Sequence, residues 1–144
     1  MCSSDLPVWM AAQNGHHEVV RVLADKGANI NLAHENGATP VFIAAQNGHH
    51  EVVRLLADKG ASLDLAEKEG ATPVFVAAQN GHHEVVSVLA DNGAVLHSFL
   101  ENGATPVFMA AQKGHHQVVR VLADKGVRID HALEDGTTLC PWPR

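Results

Sequence analysis

A passage of 25 residues dominates this chain: GATPVFIAAQNGHHEVVRLLADKGA, from Gly37 to Ala61. It returns as GATPVFVAAQNGHHEVVSVLADNGA from Gly70 to Ala94 and as GATPVFMAAQKGHHQVVRVLADKGV from Gly103 to Val127. Pro7 to Ala28 carries the same text without its opening residues. Corresponding glycines at Gly37, Gly70, Gly103 and Gly136 set a strict period of 33. A unit of that length cannot bury its apolar face alone, so a fixed period in this range implies a solenoid in which each unit covers its neighbours.

Within one unit the residues predict two short helices and an extended connection. Thr39 is a suitable N-cap, and Pro40 fits the first helical position, where its missing N–H costs nothing. Val41, Ala44 and Ala45 form an apolar stripe, and Gly48 can take the left-handed conformation that ends a helix. A second helix is expected to start near His50, with Glu51 at the positive end of its dipole and Gly60 as its stop. Its buried stripe is Val52, Val53, Leu55 and Leu56. Helices of roughly eight residues are marginal alone in water, so stacking must hold them.

The recurring text TPVFxAAQxGHHEVVRxLADKGA resembles the ankyrin repeat, whose signature is Thr-Pro-Leu-His, then Ala-Ala, a Gly-His turn and a Val-Val-x-Leu-Leu second helix. The resemblance covers roughly residues 5 to 140, in register in each repeat. It implies an all-α ankyrin-repeat solenoid: helix-turn-helix units stacked side by side, with projecting β-hairpin fingers, used across the family to bind proteins. One domain of 144 residues is expected, with repeats at about 4–36, 37–69, 70–102 and 103–135 and a truncated fifth at 136–144. Two departures stand out. Trp9, Phe42, Phe75 and Phe108 replace the His of the signature, which substitutes an aromatic column for any hydrogen bond placed there. His17, His50, His83 and His116 replace the leucine usual after Gly-His, which suggests a half-buried row that acid would have to charge.

Both ends read as weak. Ser4, Asp5 and Leu6 stand where the other repeats have Gly, Ala and Thr, so the first helix lacks its cap and should fray. Pro141 and Pro143 forbid a helix in the fifth repeat. The net charge of −6 argues against nucleic acid, which needs a basic stripe to displace counterions. No run of 18 apolar residues occurs and the start lacks a signal-peptide pattern, so a soluble cytoplasmic protein with no membrane partner is expected. Cys2 and Cys140, at opposite ends of the stack, read as free thiols.

Helical positions hardly differ between repeats, whereas the fingers do: LAHEN at 32–36, LAEKE at 65–69, SFLEN at 98–102 and HALED at 131–135. By resemblance, a partner meets finger tips and the exposed end of the first helix. In this sequence those positions are Ala33, Glu35, Asn36, Gln46 and Asn47, then Ala66, Lys68, Glu69, Gln79 and Asn80, then Phe99, Leu100, Glu101, Asn102, Gln112 and Lys113, with Ala38, Ala71 and Ala104 beside them. Phe99 with Leu100 has the composition of a binding hot spot. Each of these residues reads equally well as a solvated turn residue.

Eleven histidines raise the question of chemistry. HHEVVR at 49–54 begins like the zinc-protease HExxH, but Arg54 stands where the second ligand is needed and Ser87 in the next copy. Equivalent histidines one layer apart are about 8–10 Å from each other, too far to share one ion. No Ser/His/Asp set, phosphate loop or CxxC occurs. The expected function is therefore non-enzymatic protein binding without cofactor or metal, toward a protein partner with a basic surface because acids outnumber Lys68 at the tips; a small-molecule ligand is not expected. A second reading from another class is a structural scaffold or a fragment of a longer repeat array, natural or consensus-derived, whose end repeats stack on neighbouring copies or on missing repeats and which has no partner of its own. A third is a histidine-based metal or pH sensor.

Overall fold

The computed structural model describes residues 6–97, 100 and 103–127. Within them lie eight helices: α1 Leu6–Asn14, α2 His17–Asp25, α3 Pro40–Asn47, α4 His50–Asp58, α5 Pro73–Gln79, α6 His83–Asp91, α7 Pro106–Gln112 and α8 His116–Asp124. Odd-numbered helices pack in succession along one layer, even-numbered helices along a second, and each odd helix packs on the even helix that follows it. Every unit is thus a helix pair, and four pairs make a two-layered stack.

The capping residues place the helix starts. Thr39, Thr72 and Thr105 are extended, and each Oγ1 accepts from the backbone N–H three residues on, at Phe42, Phe75 and Phe108, at 3.2 Å. Proline follows at the first helical position in all three. In the first repeat the helix begins at Leu6, the residue that corresponds to Thr39, and still runs to Asn14. Trp9 ties it to the second repeat, its indole Nε1–H donating to Ala38 O at 3.0 Å. At that position the aromatic residue retains a hydrogen bond, contrary to the expected purely aromatic column. Phe42 and Phe75 are buried as apolar residues.

The core runs unbroken through the stack. Ala44, Ala45, Ala77 and Ala78 are fully buried in the odd-numbered layer, where their small side chains let helices approach closely. Val52, Val53, Leu56, Val85, Val86 and Leu89 fill the space between the layers. Ile30, Leu63 and Leu96, one from each connection, pack against this core, as the inward position of the finger requires.

Among the described residues no strand forms, so the expected β-hairpin fingers are not seen there. The first two are tight turns closed in part by their own side chains. In the first, His34 N–H donates to Ala38 O and Gly37 N–H to His34 O, both at 2.8 Å, while Asn36 Oδ1 accepts from Ala38 N–H at 3.0 Å. In the second, Glu67 Oε1 takes the N–H groups of Glu69 at 2.6 Å and Ala71 at 3.1 Å. Those bonds use the amides that a ladder would need. A backbone bond joins the first two finger tips, from Lys68 N–H to Asn36 O at 2.9 Å. The breakdown of the fifth repeat at Pro141 and Pro143, and both cysteines, lie outside the described residues.

Candidate binding surface

A helix of eight residues leaves its last carbonyls without intrahelical partners, and the stack satisfies them between repeats. In α3 the Ala44 and Ala45 carbonyls accept from His49 N–H at 2.9 Å and Gly48 N–H at 3.3 Å. Gln46 O is then met from the next repeat, by His82 Nε2 at 3.0 Å and Asn80 Nδ2 at 3.1 Å. The same pair appears one junction earlier, where His49 Nε2 at 2.9 Å and Asn47 Nδ2 at 3.1 Å meet Gln13 O. At the last junction His115 Nε2 reaches Gln79 O at 3.0 Å, and Lys113 replaces the asparagine. The histidine that holds the stack is therefore the first of each pair. It occupies the N-cap position of its own helix without capping it, because the ring is turned to the preceding repeat.

These rings lie directly over the preceding glycine. A Cβ on Gly15, Gly48 or Gly81 would stand 2.7–2.8 Å from the ring of His49, His82 or His115. The second histidine of each pair, which sequence singled out, opens the helix instead. His17, His50 and His83 are half-buried and His116 is exposed. His17 Nδ1 lies 3.3 Å from Glu51 Oε1 and His50 Nδ1 3.4 Å from Glu84 Oε1. At the first two junctions the expected row of like groups is thus interleaved with carboxylates of the following repeats.

Two further contacts cross the junctions. Lys59 Nζ meets Asp25 Oδ1 and Lys125 Nζ meets Asp91 Oδ1, each at 2.6 Å. The bond from Lys59 holds the Asp25 carboxyl below its ordinary range; desolvation opposes it, and the charges of Lys59, Arg21 and Lys26 add to the lowering. Asn31 Oδ1 accepts from Ser62 N–H and Asp64 Oδ1 from Val95 N–H, both at 2.9 Å.

Against this frame the residues expected to meet a partner fall into three groups. Ala33, Glu35, Asn36, Ala66, Lys68 and Glu69 at the tips are exposed, as are Asn47, Asn80, Gln112 and Lys113 at the helix ends. Gln46, Gln79 and Leu100 are half-buried. Phe99, Glu101 and Asn102 lie outside the described residues. Asn47 and Asn80 also spend one amide hydrogen on the junction beneath them. Ala38 and Ala104 are buried and offer a partner no side chain, and Glu67 is committed to closing its turn. What sequence missed was the role of His49 and its equivalents; the invariant Gly-His pairing was the available signal.

A depression of about 250 Å³ lies on the other side of the stack, lined by His17, Arg21, Glu51, Arg54, Leu55 and Asp58, none of which is a tip residue. Among the described residues no three His, Cys, Asp or Glu side chains converge as a metal site would require. No helix among them is long and apolar enough to cross a membrane. The family model described as ankyrin repeats (3 copies) matches residues 3–67 and 60–135. No curated protein matches the chain.

Proposed function

Because the chain belongs to the ankyrin-repeat family, we propose that it is a non-enzymatic cytoplasmic module that holds a protein partner against its finger tips and the exposed ends of its odd-numbered helices. The observation that carries this reading is the contrast between a pinned backbone and free side chains at the tips. Lys68 N–H bonds to Asn36 O, and the turns are closed by Asn36 and Glu67, yet Ala33, Glu35, Ala66, Lys68 and Glu69 extend into solvent. A surface already in place orders little chain on binding, which lowers the entropic cost of association. Glu35 and Glu69 make the described part of the rim acidic, so the partner presents Lys or Arg toward it.

A photocrosslinking residue at position 35 should trap a partner in lysate, and the adduct should weaken as salt screens the rim and vanish with Glu69→Lys. The same crosslinker at position 54, on α4, should give none of that adduct. Equal trapping from both positions, or an adduct indifferent to salt and to Glu69→Lys, would overturn the reading.

A further inference from the structure

We infer that the two ends of the stack recognise each other, so that the first repeat of one copy docks on the fourth repeat of another through the same contacts that join repeats within the chain. This interface shares Gln112 with the surface proposed above but uses none of the finger tips, and it stands without the reading given for them.

The first repeat exposes the face that its successors bury. Val19 is 48 % exposed and Val22 55 %, whereas Val52, Val85 and Val118 are at 0 %, Leu55 at 7 % and Val88 at 6 %. Met10 is 46 % exposed where Ile43 is 7 % and Val76 is 4 %. At the other end, Ala111 is exposed although Ala45 and Ala78 are fully buried. Gly114, unlike Gly15, Gly48 and Gly81, has no ring above it among the described residues: none of their atoms lies within 4 Å of a Cβ built there.

Apolar exposure alone would not choose an occupant; the polar contacts do. Within the chain a complete junction uses four: histidine and asparagine to a glutamine carbonyl, lysine to aspartate, and histidine to glutamate. The first junction has all four, in His49 and Asn47 on Gln13 O, Lys59 on Asp25, and His17 on Glu51. The second lacks the lysine, since Asn92 stands in its place and turns its amide to Val88 O. The third has Lys113 in place of the asparagine and Gln117 in place of the glutamate. A junction between the fourth repeat of one copy and the first of the next would again have all four by residue type. His16 and Asn14 would meet Gln112 O, Lys26 would meet Asp124, and His116 would meet Glu18. Asn14, Lys26, Gln112, Asp124, His16, His116 and Glu18 are all exposed. Among the described residues Glu18 pairs within its own repeat, with His17 and Arg21.

Such a contact is heterologous, with different surfaces on the two copies, and continues the stack instead of closing it, so it builds rods with no fixed number of copies. Sedimentation of the whole chain over rising concentration tests this. The weight-average mass should climb from 15.3 kDa past that of a dimer without levelling off. Val22→Glu, at an exposed site on the first repeat, and Ala111→Glu, at an exposed site on the fourth, should each remain monomeric. Mixed in equal amounts they should form a dimer and nothing larger, because one keeps a free fourth repeat and the other a free first repeat. Circular dichroism melts matching the parent establish that both variants are folded. A parent that stays at 15.3 kDa at every concentration, as it would if residues 128–144 or another protein's surface were the occupant, overturns the inference. So does a folded pair of variants whose mixture stays monomeric, or association that survives either substitution.

Discussion

Gly48 carries two constraints at once: its backbone is left-handed at φ +82°, and the His82 ring lies where a Cβ would go. Gly60 carries only the first, at φ +89° with open space around it. Gly60→Ala should therefore cost about 1–2 kcal/mol, the strain of an L-residue in that conformation. Gly48→Ala should cost about 1 kcal/mol more, because it also displaces the ring from Gln46 O. Urea denaturation of both variants, and of Gly48→Ala in a His82→Ala background, separates the terms; an excess that persists without the ring would contradict the assignment. A second residue-scale expectation concerns acid. Asp25 is depressed mainly by its bond from Lys59, so its contribution is present above the ordinary value of 3.8 and is lost as pH falls through the lower folded value. Lys59→Met should flatten the stability profile over that acid range, and parallel profiles for parent and variant would show the bond to be inert. Both side chains are largely exposed, so the effect should be small and should fade with salt.

At the scale of the element, short helices depend on their ends. Thr72 Oγ1 caps α5 while lying almost fully buried, so Thr72→Ala should cost about 1–2 kcal/mol in denaturant titration. A loss within about 0.3 kcal/mol of zero would mean that packing alone sets the start of α5. Much of this level was legible in the chain. Helices begin at Pro40, Pro73 and Pro106 and again at His50, His83 and His116, where a capping threonine before proline and a Gly-His turn place them. Two matters were not legible. Of two adjacent histidines, which one bonds the carbonyl of the preceding repeat depends on the backbone turn at Gly48, and a text in which both recur cannot say. The fingers carry Gly and Asx-type residues suited to hairpins, but the amides of Ala38, Glu69 and Ala71 go to side-chain oxygens of Asn36 and Glu67, which no periodicity announces. The candidate surface was legible as exposed tips, and less so at Ala38 and Ala104, whose burial follows from the turn beneath them.

At the scale of the whole molecule, the described helices pack chiefly within a repeat and on the adjacent repeats, so stability is a sum of repeat and junction terms. The second and third repeats have a neighbour on both sides and hold most of the fully buried large side chains: Leu56, Leu89, Val41, Val52, Val53, Val74, Val85 and Val86. The first keeps Val8 and Val20 in that class, and the fourth Val118 and Leu122. Opening from the ends should therefore be cheaper than opening from the middle. Native-state hydrogen exchange, at a dilution where the chain sediments as a monomer, measures this directly. The amides of α3 to α6 should be the slowest, with α1, α2, α7 and α8 exchanging through openings of lower free energy. Equal protection from α1 to α8 would contradict a stack whose stability resides in its junctions.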